Sequence, residues 1–152
     1  EEANRYIPLV RLMLSPDLQA RIKAFLDERR LLTTELEVRQ AGYKRVRIDV
    51  QVVPRPGTDE QRLQREVQAA LERFLNPLKG GIEGTGWPFG RELYLSDIYM
   101  CIQRVDGVLN VQDVSMYWLD EEDRPHFADR KIELLAHEVV VSYIHNVRII
   151  SE

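Results

Sequence analysis

The sequence predicts an α+β fold: ferredoxin-like βαβ units, a mixed sheet packed by two to three helices, and a C-terminal β-hairpin extension. Three observations predict it. Val46, Ile48, Val50 and Val52 alternate with Arg45, Arg47, Asp49 and Gln51, which is the period of a strand with one buried face. Two stretches of helical periodicity stand between strand-like segments. The tail from Arg130 to Ile150 is rich in Ile, Val and Tyr, which favours strands. Helical crossovers inserted among paired strands make βαβ units the simplest arrangement. The boundary falls at an acidic turn, giving a main domain over residues 1–119 and the hairpin extension over 120–152.

Taken in order, Tyr6 to Leu14 is aliphatic around Pro8 and reads as an edge strand or extended lead-in. Ser15-Pro16 opens a helix as a cap followed by proline at the first position, and Leu18, Ile22, Phe25 and Leu26 extend it to about Arg30. Thr34 to Arg39 alternates around Leu36 and Val38 and pairs in expectation with the Val46 to Val52 strand as a hairpin across Ala41-Gly42. Pro54-Arg55-Pro56-Gly57 ends that strand. Thr58 and Gln61 have capping-box spacing, and Leu63, Val67, Ala70, Leu71 and Phe74 form the stripe of a helix ending near Asn76-Pro77.

Five of the eight glycines lie between Gly80 and Gly90, so residues 79–91 read as a long shaped loop. Arg91 to Leu95 predicts a short strand, and Ser96 caps a helix carrying Ile98, Cys101, Ile102 and Val105 that closes at Gly107. Val108 to Leu119 is extended, with a slip in alternation at Gln112-Asp113 that predicts a bulge. Asp120 to Asp123 makes an acidic turn, Glu138 to Tyr143 a strand, and His145-Asn146 the turn of the C-terminal hairpin.

Composition narrows the function classes. At 152 residues, 44% hydrophobic and 30% charged, the chain is long enough to bury a core and has no disordered or fibrous signature. A net charge of −4 argues against a generic polyanion binder. The strand around Ile48 also lacks the aromatic pair on which a sheet stacks bases. No run of 18 apolar residues is present, so no membrane span is expected. The charge is uneven along the chain: 14 Lys/Arg against 12 Asp/Glu in residues 1–75, and 7 against 13 in residues 76–152. That asymmetry suits head-to-tail association between copies or with a complementary partner, and equally two solvated faces of a monomer.

Motifs for catalysis or metal binding are thin. A single cysteine, Cys101, excludes a disulfide and a thiolate zinc site, and it falls on an apolar stripe. His126, His137 and His145 with Asp129 and Glu138 do not have the spacing of a metal or acid–base site. The acidic turn lacks the alternating ligands of a calcium loop. The glycine cluster lacks both a dinucleotide fingerprint and Gly-Lys-Ser/Thr. No cofactor is expected. Trp87, Pro88 and Phe89 instead supply an apolar plug that anchors the loop on the core or on a neighbouring subunit.

Three runs carry a more specific signal: Leu71-Glu-Arg-Phe-Leu-Asn-Pro-Leu-Lys-Gly-Gly81, Gly86-Trp-Pro-Phe-Gly-Arg-Glu-Leu-Tyr-Leu-Ser-Asp-Ile-Tyr99 and Val105-Asp-Gly-Val-Leu-Asn-Val111. In these the chain resembles the C-terminal part of baseplate J-like proteins, the baseplate assembly proteins of contractile phage tails and related injection systems. The resemblance extends back through Ser15 to Leu18, Leu26 to Thr33 and Val46 to Pro54, covering most of residues 15–116. The tail departs from the family pattern, with Val141-Ser142-Tyr143-Ile144-His145 where a Ser-Gly-Glu-His turn is expected.

The resemblance implies a structural subunit of a baseplate wedge. Its partners would be other wedge subunits and copies of itself in a sixfold assembly, with no nucleic acid. It would be made in a bacterial cytoplasm and built into a phage tail or tail-like particle. Relatives carry a larger N-terminal region, and the start at Glu1-Glu2-Ala3 agrees with an isolated C-terminal piece. The resemblance brings no catalytic residues. The interface candidates are Trp87, Pro88, Phe89 and Arg91. The competing reading is a small-ligand-binding or hydrolytic domain of ferredoxin-like architecture.

Overall fold

The computed structural model describes residues 12–150. In chain order the elements are α1 (Pro16–Asp27), β1 (Gly42–Pro54), α2 (Glu60–Phe74), β2 (Leu93–Tyr94), α3 (Leu95–Gln103), β3 (Val108–Leu119), β4 (Pro125–Ala128), β5 (Lys131–Ile132), β6 (Glu138–Ser142) and β7 (Asn146–Ile149). The fold is α+β with a mixed sheet and three helices. The main sheet runs β4-β3-β1, with β6 and β7 both beside β1 on its other edge. β2 and β5 form a separate two-stranded pair.

The alternation in β1 works as the sequence predicts. Val46, Ile48, Val50 and Val52 are at most 2% exposed, and join Leu63, Val67 and Leu71 of α2 and Ile98 and Ile102 of α3 in one core. α2 is capped by Asp59, whose carboxylate accepts from the Arg62 N–H at 2.9 Å, so the cap lies one residue after the expected Thr58. α3 begins at Leu95, and its first turn is held by Asp97, which accepts from the Tyr94 N–H at 3.1 Å, instead of by Ser96. β3 is antiparallel to β1 and carries the predicted bulge: Gln51 pairs with Asp113 and Val52 with Val111, so Gln112 is looped out.

Two expectations are corrected, a third is not confirmed, and a fourth lies mostly outside the described residues. Residues 34–39 form no strand. The lead-in strand from Tyr6 lies outside the described residues up to position 11, and Leu12 to Leu14 are not in a strand. The pairings do not reproduce the ferredoxin-like order, because β1 and β3, joined through both core helices, are antiparallel neighbours.

The C-terminal hairpin is also absent. β6 and β7 run in the same direction, both parallel to β1, as one interrupted strand. Val46 pairs with Ser142 and Asp49 with Asn146, which leaves one extra residue in the Tyr143–His145 stretch. Tyr143 N–H donates to Val46 O at 2.9 Å, and His145 Nδ1 accepts from Ile48 N–H at 3.1 Å. The imidazole thus stands in for a missing ladder carbonyl, so the chain crosses the bulge without turning back. The hairpin that does form joins β3 to β4 across the acidic turn.

The segment 12–41 lies largely apart from this core. α1 buries no side chain, and Leu18 and Phe25 are 44% and 57% exposed. Within it Gln19 Nε2 donates to Val38 O at 2.7 Å and the Gln40 side chain bonds both Leu12 and Leu14, while Tyr43 Oη of β1 donates to Leu12 O at 3.1 Å and ties the segment to the sheet.

Candidate functional site

The glycine-rich loop is built from the end of α2. Asn76 Oδ1 accepts from the N–H groups of Leu78 and Lys79 at 2.8 and 3.0 Å, turning the chain sharply. Gly80 and Gly81 then close back on the helix, donating to Asn76 O and Phe74 O at 2.8 Å each. A Cβ on Gly80 would lie 2.3 Å from Phe74 O, so only glycine fits. Gly86 N–H bonds Gly80 O and Trp87 N–H bonds Pro77 O, folding the far limb of the loop onto the near one.

The four interface candidates fall into two pairs. Trp87 is 3% exposed and sits edge-on to Phe74, ring centroids 5.6 Å apart, with its indole N–H donating to Arg91 O at 2.9 Å. The Arg91 guanidinium lies 5.0 Å from the Trp87 ring and 3.2 Å from the Asp97 carboxylate. Trp87 and Arg91 are therefore internal: they peg the loop to α2 and α3. Pro88 and Phe89 face outward, with Phe89 63% exposed alongside Leu78 and Ile82 of the same loop. Sequence reading missed Asp97, which serves both Arg91 and the start of α3; its i+3 spacing from Tyr94 was the available signal.

A groove of about 400 Å³ opens between α2, α3 and the near limb of the loop. Cys101 is on its wall, its thiol 3.6 Å from Ala70 O and pushed up to about 11 by burial, with Arg104 and Arg73 pulling the other way.

The three histidines are placed apart. His126 stacks on Trp118 at 4.2 Å and bonds Asp120 at 2.9 Å. Together with the Arg124 backbone and guanidinium, that bond holds the Asp120 carboxyl well below the usual range. Asp120 thus closes its own turn. His137 lies beside Gly42, and Asp129 is exposed immediately after β4. Among the described residues no three His, Cys, Asp or Glu side chains gather as a metal set.

Among the described residues His145 makes the one buried contact of catalytic appearance, its Nε2 2.7 Å from Ser142 Oγ. Because Nδ1 accepts from a backbone N–H, Nε2 carries the proton and donates to the hydroxyl, which in turn faces Tyr143 O at 3.3 Å. That polarity is the reverse of a general base activating serine. Burial lowers the His145 pKa to about 4.

Among the described residues no helix is long and apolar enough to cross a membrane. No protein-family model matches the chain, and no curated protein matches it.

Proposed function

We propose that the chain is a structural assembly module of the baseplate J-like kind, acting through protein–protein contacts in a contractile tail or tail-like injection particle. Other wedge subunits and further copies of the chain are its partners. The observation that carries this reading is the Gly80–Arg91 loop. It is pegged from inside by Trp87 and Arg91 yet presents Ile82 and Phe89 to solvent, with Leu78 exposed just before it. A loop held this rigidly loses little entropy on docking, and exposed aromatic and aliphatic side chains on it are suited to be interface anchors. The run Gly86-Trp-Pro-Phe-Gly-Arg91, in which the resemblance is densest, is this same structure.

The test is complementation in a producing cell. Phe89→Ser with Ile82→Ser removes only exposed side chains, so the variant chain is expected to fold with an unchanged circular dichroism spectrum and to yield no sheathed particles by electron microscopy. Normal particle numbers would remove the loop from the interface. Genes for sheath, tube and spike beside the coding sequence would support the reading directly.

A further inference from the structure

The groove between α2 and α3 has a charge pattern that the chain itself does not balance. Its floor is apolar, formed by Ala69, Ala70, Phe74, Met100, Cys101 and Val105. Around it stand Arg73, Lys79 and Arg104, all exposed. None of the three forms an ion pair among the described residues, although fourteen such pairs occur elsewhere. The one carboxylate in the lining, Glu66, is already engaged by Arg62 at 2.7 Å. Three uncommitted cations around an apolar trough favour an occupant with an apolar ridge and flanking negative charge.

We propose that this groove is the docking site for an acidic amphipathic helix of a partner protein. The partner's apolar side chains at i, i+4 and i+7 lie on the floor, and its carboxylates meet Arg73, Lys79 and Arg104. The dimensions agree: from Glu66 to Arg73 the α2 wall rises roughly 10 Å at about 1.5 Å per residue, the span of an i to i+7 set of anchors. The volume, about 400 Å³, accommodates a few aliphatic side chains but not a domain. The inference rests on the assembly reading only for the kind of partner; Ile82 belongs to both the groove and the exposed loop surface, whereas Phe89 lies outside the groove lining.

Cys101, the single cysteine of the chain, lines the groove and reports its occupancy. The probe is a synthetic helical peptide with Leu at i, i+4 and i+7 and Glu at the flanking positions. Controls are a twin with Lys for Glu and, as a small amphipathic anion, dodecanoate. At low salt the acidic peptide is expected to slow modification of Cys101 by a small thiol reagent about tenfold and the Lys twin less than about twofold, with the protection fading as salt rises. Arg73→Glu with Arg104→Glu, both exposed and unpaired, should reverse the preference between the two peptides. The same protection by both peptides, no protection by either, or protection by dodecanoate alone would overturn the proposal. Because Phe89 is outside the groove lining while Ile82 is part of it, the single variant Phe89→Ser is the one used here: particle loss with intact peptide protection separates failure of one surface from failure of the other.

Discussion

His145 shows how one side chain substitutes for backbone. Its Nδ1 receives the Ile48 N–H where the β6–β7 bulge removes a carbonyl, and its ring is 6% exposed. Burial disfavours the imidazolium, so the folded pKa of about 4 lies below the ordinary 6.5. The unfolded chain therefore takes up a proton first as pH falls. Stability from this group is fully present above pH 6.5 and is lost as pH drops toward 4, by about 3 kcal/mol in all. His145→Asn retains an acceptor near Ile48 and removes the titration. Urea unfolding of this variant at pH 7, 5.5 and 4 is expected to show a flatter pH dependence than the parent; an equal slope would place the acid sensitivity elsewhere. Nothing in the sequence marked His145 as a backbone partner, since its role depends on a strand 97 residues away. Trp87 was legible as an anchor, but whether it faced core or neighbour was not, because that depends on where Phe74 and Asp97 bring the loop.

At the scale of elements, what could be read were features written locally. The β1 alternation, the α2 stripe and the Gln112 bulge each involve side chains a few residues apart, and each appears in the structure. What could not be read were pairings between distant segments: the parallel docking of β6 and β7, and the absence of a strand at 34–39. Local alternation says that one face is apolar, not that a partner with free backbone groups is available. α1 makes the same point, for its stripe of Leu18, Ile22, Phe25 and Leu26 is regular yet covers nothing. A helix of 12 residues without tertiary burial is marginal in water. Its amides are expected to exchange with deuterium within seconds, whereas those of α2, with four buried residues, exchange through global opening. Phe25→Ser should cost less than about 1 kcal/mol and Leu71→Ala about 2–5 kcal/mol by denaturant titration. A large loss from Phe25→Ser would show that α1 packs on the body after all.

For the whole molecule, the uneven charge along the sequence does not become two oppositely charged halves in space. β1, from the balanced first half, lies between β3 and β6–β7 from the acidic second half, and Arg45 with Asp123 and Lys44 with Glu138 join the two. One local imbalance that survives folding is the cationic rim of the α2–α3 groove, where Arg73, Lys79 and Arg104 stand together. The same interleaving decides the standing of the last thirty residues. Val139, Val140 and Val147 are at most 4% exposed and belong to the common core, and β6 and β7 satisfy one whole edge of β1. Ending the chain at Leu119 would bare that edge, remove these three valines from the core, and leave α2 without the Val147 O that accepts from Gln64 Nε2 at 2.7 Å. A β1 bared along one edge and an open core cost more than the few kcal/mol by which a domain of this size is stable. The truncated chain is therefore expected to lose its cooperative thermal transition and its near-ultraviolet circular dichroism. A sharp, reversible transition in that chain would mean that residues 120–150 are an appendage after all, and that α2, α3, β1 and β3 close a core by themselves.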